Sequence, residues 1–163
     1  MARSDVDYPE VGSAAPAFAL PASGGQTIKL SAYKGKSVVV LFFYPKDMTS
    51  GCTKEACGFR DAHAGLKKAG VTVLGISPDP VRQHEKFVEK HALNYPLLAD
   101  EDHAVAEAYG VWREKSLYGR EYMGIVRTTF VIDRKGKIAH VFANVKANGH
   151  AEEVRAWLDE NMA

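Results

Sequence analysis

The chain has 163 residues, 46% of them hydrophobic and 25% charged, which excludes a disordered, collagen-like or disulfide-scaffold protein. A chain of this length hides about 70% of its extended surface on folding, enough for a core without metal or disulfide staples. Lys and Arg number 21 against 20 Asp and Glu, a formal net charge of +1 that offers no overall field for nucleic acid or an anionic membrane.

The opening residues, Met1 to Glu10, include an Arg but no apolar run of signal-peptide length before Pro9. The longest apolar stretch, Val38 to Tyr44, is far too short to cross a bilayer. A soluble, cytoplasmic protein is expected. No linker, repeat or low-complexity run interrupts the chain, so residues 1–163 read as one domain. The first 25 residues are rich in Gly, Ala, Pro and Ser and are expected to run over the surface. Gln26 to Leu30 alternates polar and apolar, a short strand after the Gly24-Gly25 turn. Val38 to Tyr44 is continuously apolar and rich in β-branched and aromatic residues, a strand covered on both faces. Pro45 ends it, and a loop to Ser50 leads into a helix. Ala56, Phe59, Ala62, Leu66 and Ala69 line one face of that helix, and Gly70 stops it.

Val71 to Ser77 reads as a second apolar strand. Asp79-Pro80 reads as N-cap and first residue of the next helix, anchored by Phe87 and Val88. Leu97 to Ala99 is a short strand, and His103 to Tyr109 one or two helical turns. Val126 to Ile132 and Lys137 to Phe142 are strands joined by the turn Asp133 to Gly136. A last helix follows Asn148-Gly149, with Val154, Trp157 and Leu158 facing inward. Strands alternate with helices and close with an antiparallel hairpin. The fold class is α/β, a central mixed β-sheet flanked by helices on both faces.

The only two cysteines, Cys52 and Cys57, sit five residues apart. Two close thiols in a reducing compartment suggest catalysis or metal binding more than a structural staple. Cys52 falls in the first turn of its helix, at the carboxyl end of a central strand, where open α/β sheets place their ligands. Unpaired N–H groups and the helix dipole there favour a thiolate. If both cysteines share one helix, their Cα atoms lie roughly 8–9 Å apart, beyond the reach of about 7 Å that a disulfide allows. A bridge would then require the first turns to unwind. Two inert buried thiols remain an alternative. Zinc is a weaker one: C-x4-C is long for a knuckle, and the six His show no ligand spacing. No metal is expected.

The segment Phe43 to Asp61, FYPKDMTSGCTKEACGFRD, closely resembles the active-site segment of peroxiredoxins. It matches their Pro-x-x-x-Thr-x-x-Cys pattern at Pro45, Thr49 and Cys52. The second Cys five residues on is similar to the bacterioferritin-comigratory-protein (PrxQ-type) subfamily. Tyr118 to Asp133, Ala15 to Phe18 and Gly149 to Val154 also look like that subfamily, so the resemblance runs from about Val11 to Leu158. The family often has Pro where this chain has Ser50 and a polar residue where it has Met48; neither position supplies a catalytic group.

The resemblance implies a thioredoxin-like fold and a monomeric, antioxidant peroxidase that needs no cofactor. Its substrates would be hydrogen peroxide and organic hydroperoxides, with thioredoxin or a similar dithiol as reductant. Cys52 would be the peroxidatic thiolate and Cys57 the resolving thiol, forming an intramolecular disulfide. Thr49 can offer a hydroxyl, and Gly51 and Cys52 backbone N–H groups, to the developing negative charge. Arg127, from the neighbouring strand, can hydrogen-bond thiolate and peroxide with a charge that never titrates. Pro45 shields the loop and fixes its turn. Each has a plainer reading: Thr49 as a helix cap, Arg127 as a surface residue, Pro45 as purely structural. Glu55 either pairs with an Arg near the site or lies on a solvated face. Trp112, Tyr118 and Tyr122 read as packing or loop residues.

A general thiol–disulfide oxidoreductase would need C-x-x-C at the helix start, which the chain lacks. A redox sensor or chaperone-like module using the same disulfide switch would oxidise once and stop, whereas a peroxidase turns over.

Overall fold

A computed structural model describes residues 8–162; the reading of the first seven residues lies outside that range. Strands β1 (Ala19–Ala22) and β2 (Gln26–Lys29) form a hairpin, followed by a 3-10 turn over Leu30–Tyr33. Then come β3 (Val38–Phe43), α1 (Ser50–Lys68), β4 (Val71–Ser77) and α2 (Val81–His91). The next elements are β5 (Leu97–Ala99), α3 (Ala104–Ala108), β6 (Trp112–Leu117) and β7 (Arg120–Ile125). The described chain closes with β8 (Thr128–Ile132), β9 (Ile138–Phe142) and α4 (His150–Asn161).

Seven strands make one sheet in the order β2-β1-β5-β4-β3-β8-β9. β3, β4 and β5 run parallel, and the other pairings are antiparallel. β3 lies near the middle, and all six of its residues are buried. Its side chains alternate between two cores, as the two-residue period of a strand requires. Val38, Val40 and Phe42 join Phe59 and Leu66 of α1, Phe87 of α2, and Val154 and Leu158 of α4. Val39, Leu41 and Phe43 point to the opposite face, with Ala106 of α3, Tyr109, Ile125 and Phe130. Helices therefore cover both faces of a mixed sheet. Among the described residues no helix is long and apolar enough to cross a membrane.

Three strands depart from the sequence expectation. β1 lies within the segment expected to run over the surface. It is four residues long and carries Pro21, so neither length nor composition announces it. Among the described residues β6 and β7 pair only with each other. Their one sequence signal is the turn: Tyr118 and Gly119 both have positive φ (51° and 78°) between the paired Leu117 and Arg120, the geometry of a two-residue hairpin.

Boundaries also move. The strand expected from Val126 starts at Thr128, because Val126 N–H donates to the Val111 carbonyl and Arg127 C=O accepts from Val145 N–H. Arg127 thus lies in the link between β7 and β8, not within a strand. α2 begins at Val81 with Pro80 as N-cap. Asp79 does not cap it, because its Oδ2 accepts from Ser77 Oγ at 2.8 Å and from Asp47 N–H at 2.7 Å.

Candidate active site

β3 delivers the chain to the sheet's carboxyl edge, and the loop after it turns directly into α1. Thr49 is the N-cap of α1, which makes Cys52 the third residue of the helix. Cys52 is 1% exposed, whereas Cys57, on the same unbroken helix, is half-buried; both are free thiols.

The side chain of the N-cap bonds to the loop and not to the helix. Thr49 Oγ1 donates to the Lys46 carbonyl at 3.0 Å and makes no capping bond to the helix. The hydroxyl proton is therefore committed to the loop, and its lone pairs are left to accept. The N–H groups that open a helix have no partner within it, and here no side chain of the N-cap takes them. Pro45 is half-buried at the start of this loop.

Arg127 reaches the same point from the β7–β8 link. Its Nη2 lies 3.4 Å from Cys52 Sγ, and its Nη1 donates to Glu55 Oε1 at 2.6 Å. A Cβ on Gly51 would come within 3.3 Å of Nη2, so the guanidinium packs closely on the first turn of α1. One planar fork thus spans the sulfur and a carboxylate one turn along the helix. Burial works against the Arg127 charge, but Glu55 and Cys52 outweigh it and raise its pKa. Burial pushes the Glu55 carboxyl up to about 7, against the pull of Arg127. Of the two sequence readings for Glu55, the structure shows the buried Arg partner.

Lys115 escaped the sequence reading. Its Nζ donates to the Ile125 carbonyl at 2.9 Å. Burial and the nearby Arg127 lower its pKa, while Cys52 opposes them, so this cation stands in the same field as the sulfur. Only the pairing of β6 with β7 brings it there. Trp112 stacks on His103, with ring centroids 3.8 Å apart, and Tyr118 and Tyr122 are exposed.

Cys57 opens on a groove lined by Lys54 and Asp61 of α1 and by Asn148, Glu152 and Arg155 at and beyond the start of α4. The two helices approach closely beside it: a Cβ on Gly58 would lie 3.3 Å from Ala151 Cβ. Among the described residues one trio, Asp47, Asp79 and His84, has metal-ligand atoms within 4.8 Å of one another. Those atoms are engaged in hydrogen bonds: His84 Nδ1 with Asp47 Oδ2, Asp47 Oδ1 with the Tyr44 hydroxyl, and Asp79 Oδ2 with Ser77 Oγ and the Asp47 backbone N–H.

Residues 11–141 match the model of the AhpC/TSA family. Peroxiredoxin Bcp of Bacillus subtilis (strain 168) is 49% identical over 151 residues, covering 93% of this chain and 96% of that protein. Peroxiredoxin Bcp of Escherichia coli (strain K12) is 50% identical over 152 residues, covering 93% and 97%. Among solved structures, a cysteine-to-serine mutant of Xylella fastidiosa PrxQ superposes with a TM-score of 0.90 at 33% identity, covering 96% and 99% of the two chains. Xanthomonas campestris bacterioferritin comigratory protein, whose structures are described for alkyl peroxide reduction with a trapped intermediate/ligand complex, gives 0.87 at 36% identity, covering 96% and 100%.

Proposed function

The chain belongs to the AhpC/TSA family, as a peroxiredoxin of the Bcp/PrxQ type with the thioredoxin-like fold, and from that premise we propose that Cys52 is the sulfur that meets the peroxide. The enzyme is a thiol-dependent peroxidase whose substrates are peroxides and whose electrons come from a thiol reductant. The observation that carries the site assignment is the Arg127 fork, on Cys52 Sγ and Glu55 together.

The Cys52 thiolate attacks one peroxide oxygen, the O–O bond breaks, and the sulfur becomes a sulfenic acid. The leaving oxygen takes up a proton and departs as water or an alcohol. Arg127 holds charge beside the sulfur, and the first N–H groups of α1 face the developing oxyanion. Thr49, its own proton given to Lys46, accepts a hydrogen bond from the peroxide O–H. Pro45 shapes the loop that carries Thr49. Cys57 then attacks the sulfenic sulfur, releasing water and forming the Cys52–Cys57 disulfide. That attack requires α1 to unwind at its start, because five residues of helix hold Cα atoms roughly 8–9 Å apart. A dithiol such as thioredoxin reduces the bridge and restores both thiols.

Organic hydroperoxides join hydrogen peroxide as substrates, in keeping with the alkyl peroxide reduction described for the Xanthomonas campestris protein. The working unit is one domain and one chain, since a single helix carries both thiols. The site of action is the cytoplasm, where free thiols persist. A sensor that oxidises once and stops is not favoured, because the relatives named above are peroxiredoxins.

Intact mass after one equivalent of hydrogen peroxide tests the cycle. Prompt loss of about 2 Da marks an internal disulfide, whereas a gain of about 16 Da marks oxidation halted on one sulfur. Cys52→Ser is expected to abolish peroxidase activity. Cys57→Ser is expected to keep one turnover and lose cycling with thioredoxin; full thioredoxin-supported activity in that variant would overturn the resolving assignment.

A further inference from the structure

Asp47 takes no part in the peroxide chemistry above, yet three elements of the fold converge on it and a fourth on its partner His84. It lies in the loop between β3 and α1, two residues before Thr49, and is 2% exposed. Its Oδ1 accepts the hydroxyl of Tyr44, just beyond β3. Its Oδ2 lies 2.6 Å from Nδ1 of His84 on α2. Its backbone N–H donates to Asp79 Oδ2, just beyond β4, at 2.7 Å. His84 is fully buried, and its Nε2 lies 2.9 Å from the Leu98 carbonyl on β5. A carbonyl only accepts, so Nε2 carries a proton. The short contact at Nδ1 then holds one further proton between ring and carboxyl. Burial raises the Tyr44 phenol well above its ordinary pKa and Asp47 raises it further, so Tyr44 remains a donor.

The backbone beyond Asp47 needs such a hold. Met48 sits in the left-handed region with φ 68°, and Thr49 returns to extended backbone at φ −82°, ψ 155°. A non-glycine residue in that region persists where its surroundings over-determine it. Asp47 fixes one side of Met48, and the Thr49 hydroxyl on the Lys46 carbonyl fixes the other. A buried polar cluster is weak evidence for stability, since apolar side chains of similar volume often serve a core as well or better. Its place, at the root of the loop that carries Thr49, gives it another use.

We propose that the Tyr44–Asp47–His84 hydrogen-bond chain is a positioning device for peroxide reduction: it fixes the β3–α1 loop to the sheet so that Thr49 and the first N–H groups of α1 are in place around Cys52 before peroxide arrives. The inference rests on the reading of Cys52 as the reacting sulfur. Both Asp47 oxygens are occupied, so its role is geometric and not that of a base.

The test compares Asp47→Ala, Asp47→Asn and Tyr44→Phe with the unmodified chain in two reactions of Cys52. One is the rate constant for oxidation by hydrogen peroxide, read by rapid quench and mass. The other is alkylation by iodoacetamide, which needs the thiolate but not the loop. Because small displacements of a positioning group cost rate steeply, Asp47→Ala should slow oxidation by about tenfold or more while alkylation stays within about twofold. The Asn amide can donate to an unprotonated Nδ1 and its carbonyl can accept from Tyr44, so Asp47→Asn should recover oxidation to within about threefold. Oxidation of Asp47→Ala at the unmodified rate would overturn the proposal. So would alkylation that falls in step with oxidation, or an Asn variant as slow as Ala. If Asp47→Ala does not fold, Tyr44→Phe decides: a rate about threefold lower supports the proposal and an unchanged rate overturns it. An unmodified chain whose Cys52 ignores hydrogen peroxide would instead overturn the reading of the site.

Discussion

Glu55 has one oxygen on Arg127, while Oε2, buried, has no hydrogen-bond partner among the described residues. A carboxylate taken from water with half its lone pairs unanswered is costly, and burial lifts its pKa from 4.5 to about 7. The folded state therefore binds this proton more tightly than the unfolded chain does. Its stabilising contribution is complete below about pH 4.5 and is lost as pH rises through about 7. That loss is on the order of 3 kcal/mol. Glu55→Gln does not titrate, so its urea midpoint should improve relative to the unmodified chain as pH rises across that window. Parallel behaviour of the two chains would mean that Glu55 does not carry the titration. At this scale the sequence was informative wherever a motif fixed the spacing: Pro45, Thr49, Cys52 and Cys57 lie on one local segment, and α1 begins where the pattern places it. Arg127, 75 residues from Cys52, could be tied to it only through the family resemblance. Asp47, His84 and Lys115 gave no signal, since their partners come from elements that meet only on folding.

Gly75 shows how closely the central strands approach. It pairs with Phe42 across β3 and β4. A Cβ there would lie 2.7 Å from Leu97 Cδ2 and 2.8 Å from Phe42 Cζ, both in fully buried side chains. Gly75→Ala should therefore cost about 1–3 kcal/mol by overpacking, seen as a lower thermal midpoint; an unchanged midpoint would show that the core yields freely. β3, β4 and α1 were legible because their apolar patterns are long and keep one period. β1 was not, because a four-residue edge segment with a proline carries little pattern. β6 and β7 were not, because a ribbon outside the main sheet has no single face to bury and so no strict alternation.

At the scale of the whole molecule, the described residues divide into a seven-stranded sheet packed on both faces and a two-stranded ribbon beside it. The ribbon carries Tyr118 at 96% exposure, with Tyr122 and Met123 also exposed. Local opening is easiest where few apolar contacts hold a segment, so backbone amides of β6 and β7 should exchange hydrogen sooner than those of β3 and β4. Exchange by mass spectrometry that shows equal protection would mean the ribbon opens only with the whole chain. The mixed sheet and its two layers followed from the alternation of elements, while the ribbon's independence depended on contacts that no local pattern encodes. The placement of Cys52 and Cys57 on one helix has a kinetic consequence for the proposed cycle. Disulfide closure needs no encounter between molecules, so its half-time is independent of how much enzyme is present. A cell holding very few copies would close the bridge as fast as one holding many, and only the peroxide and reductant steps would respond to concentration.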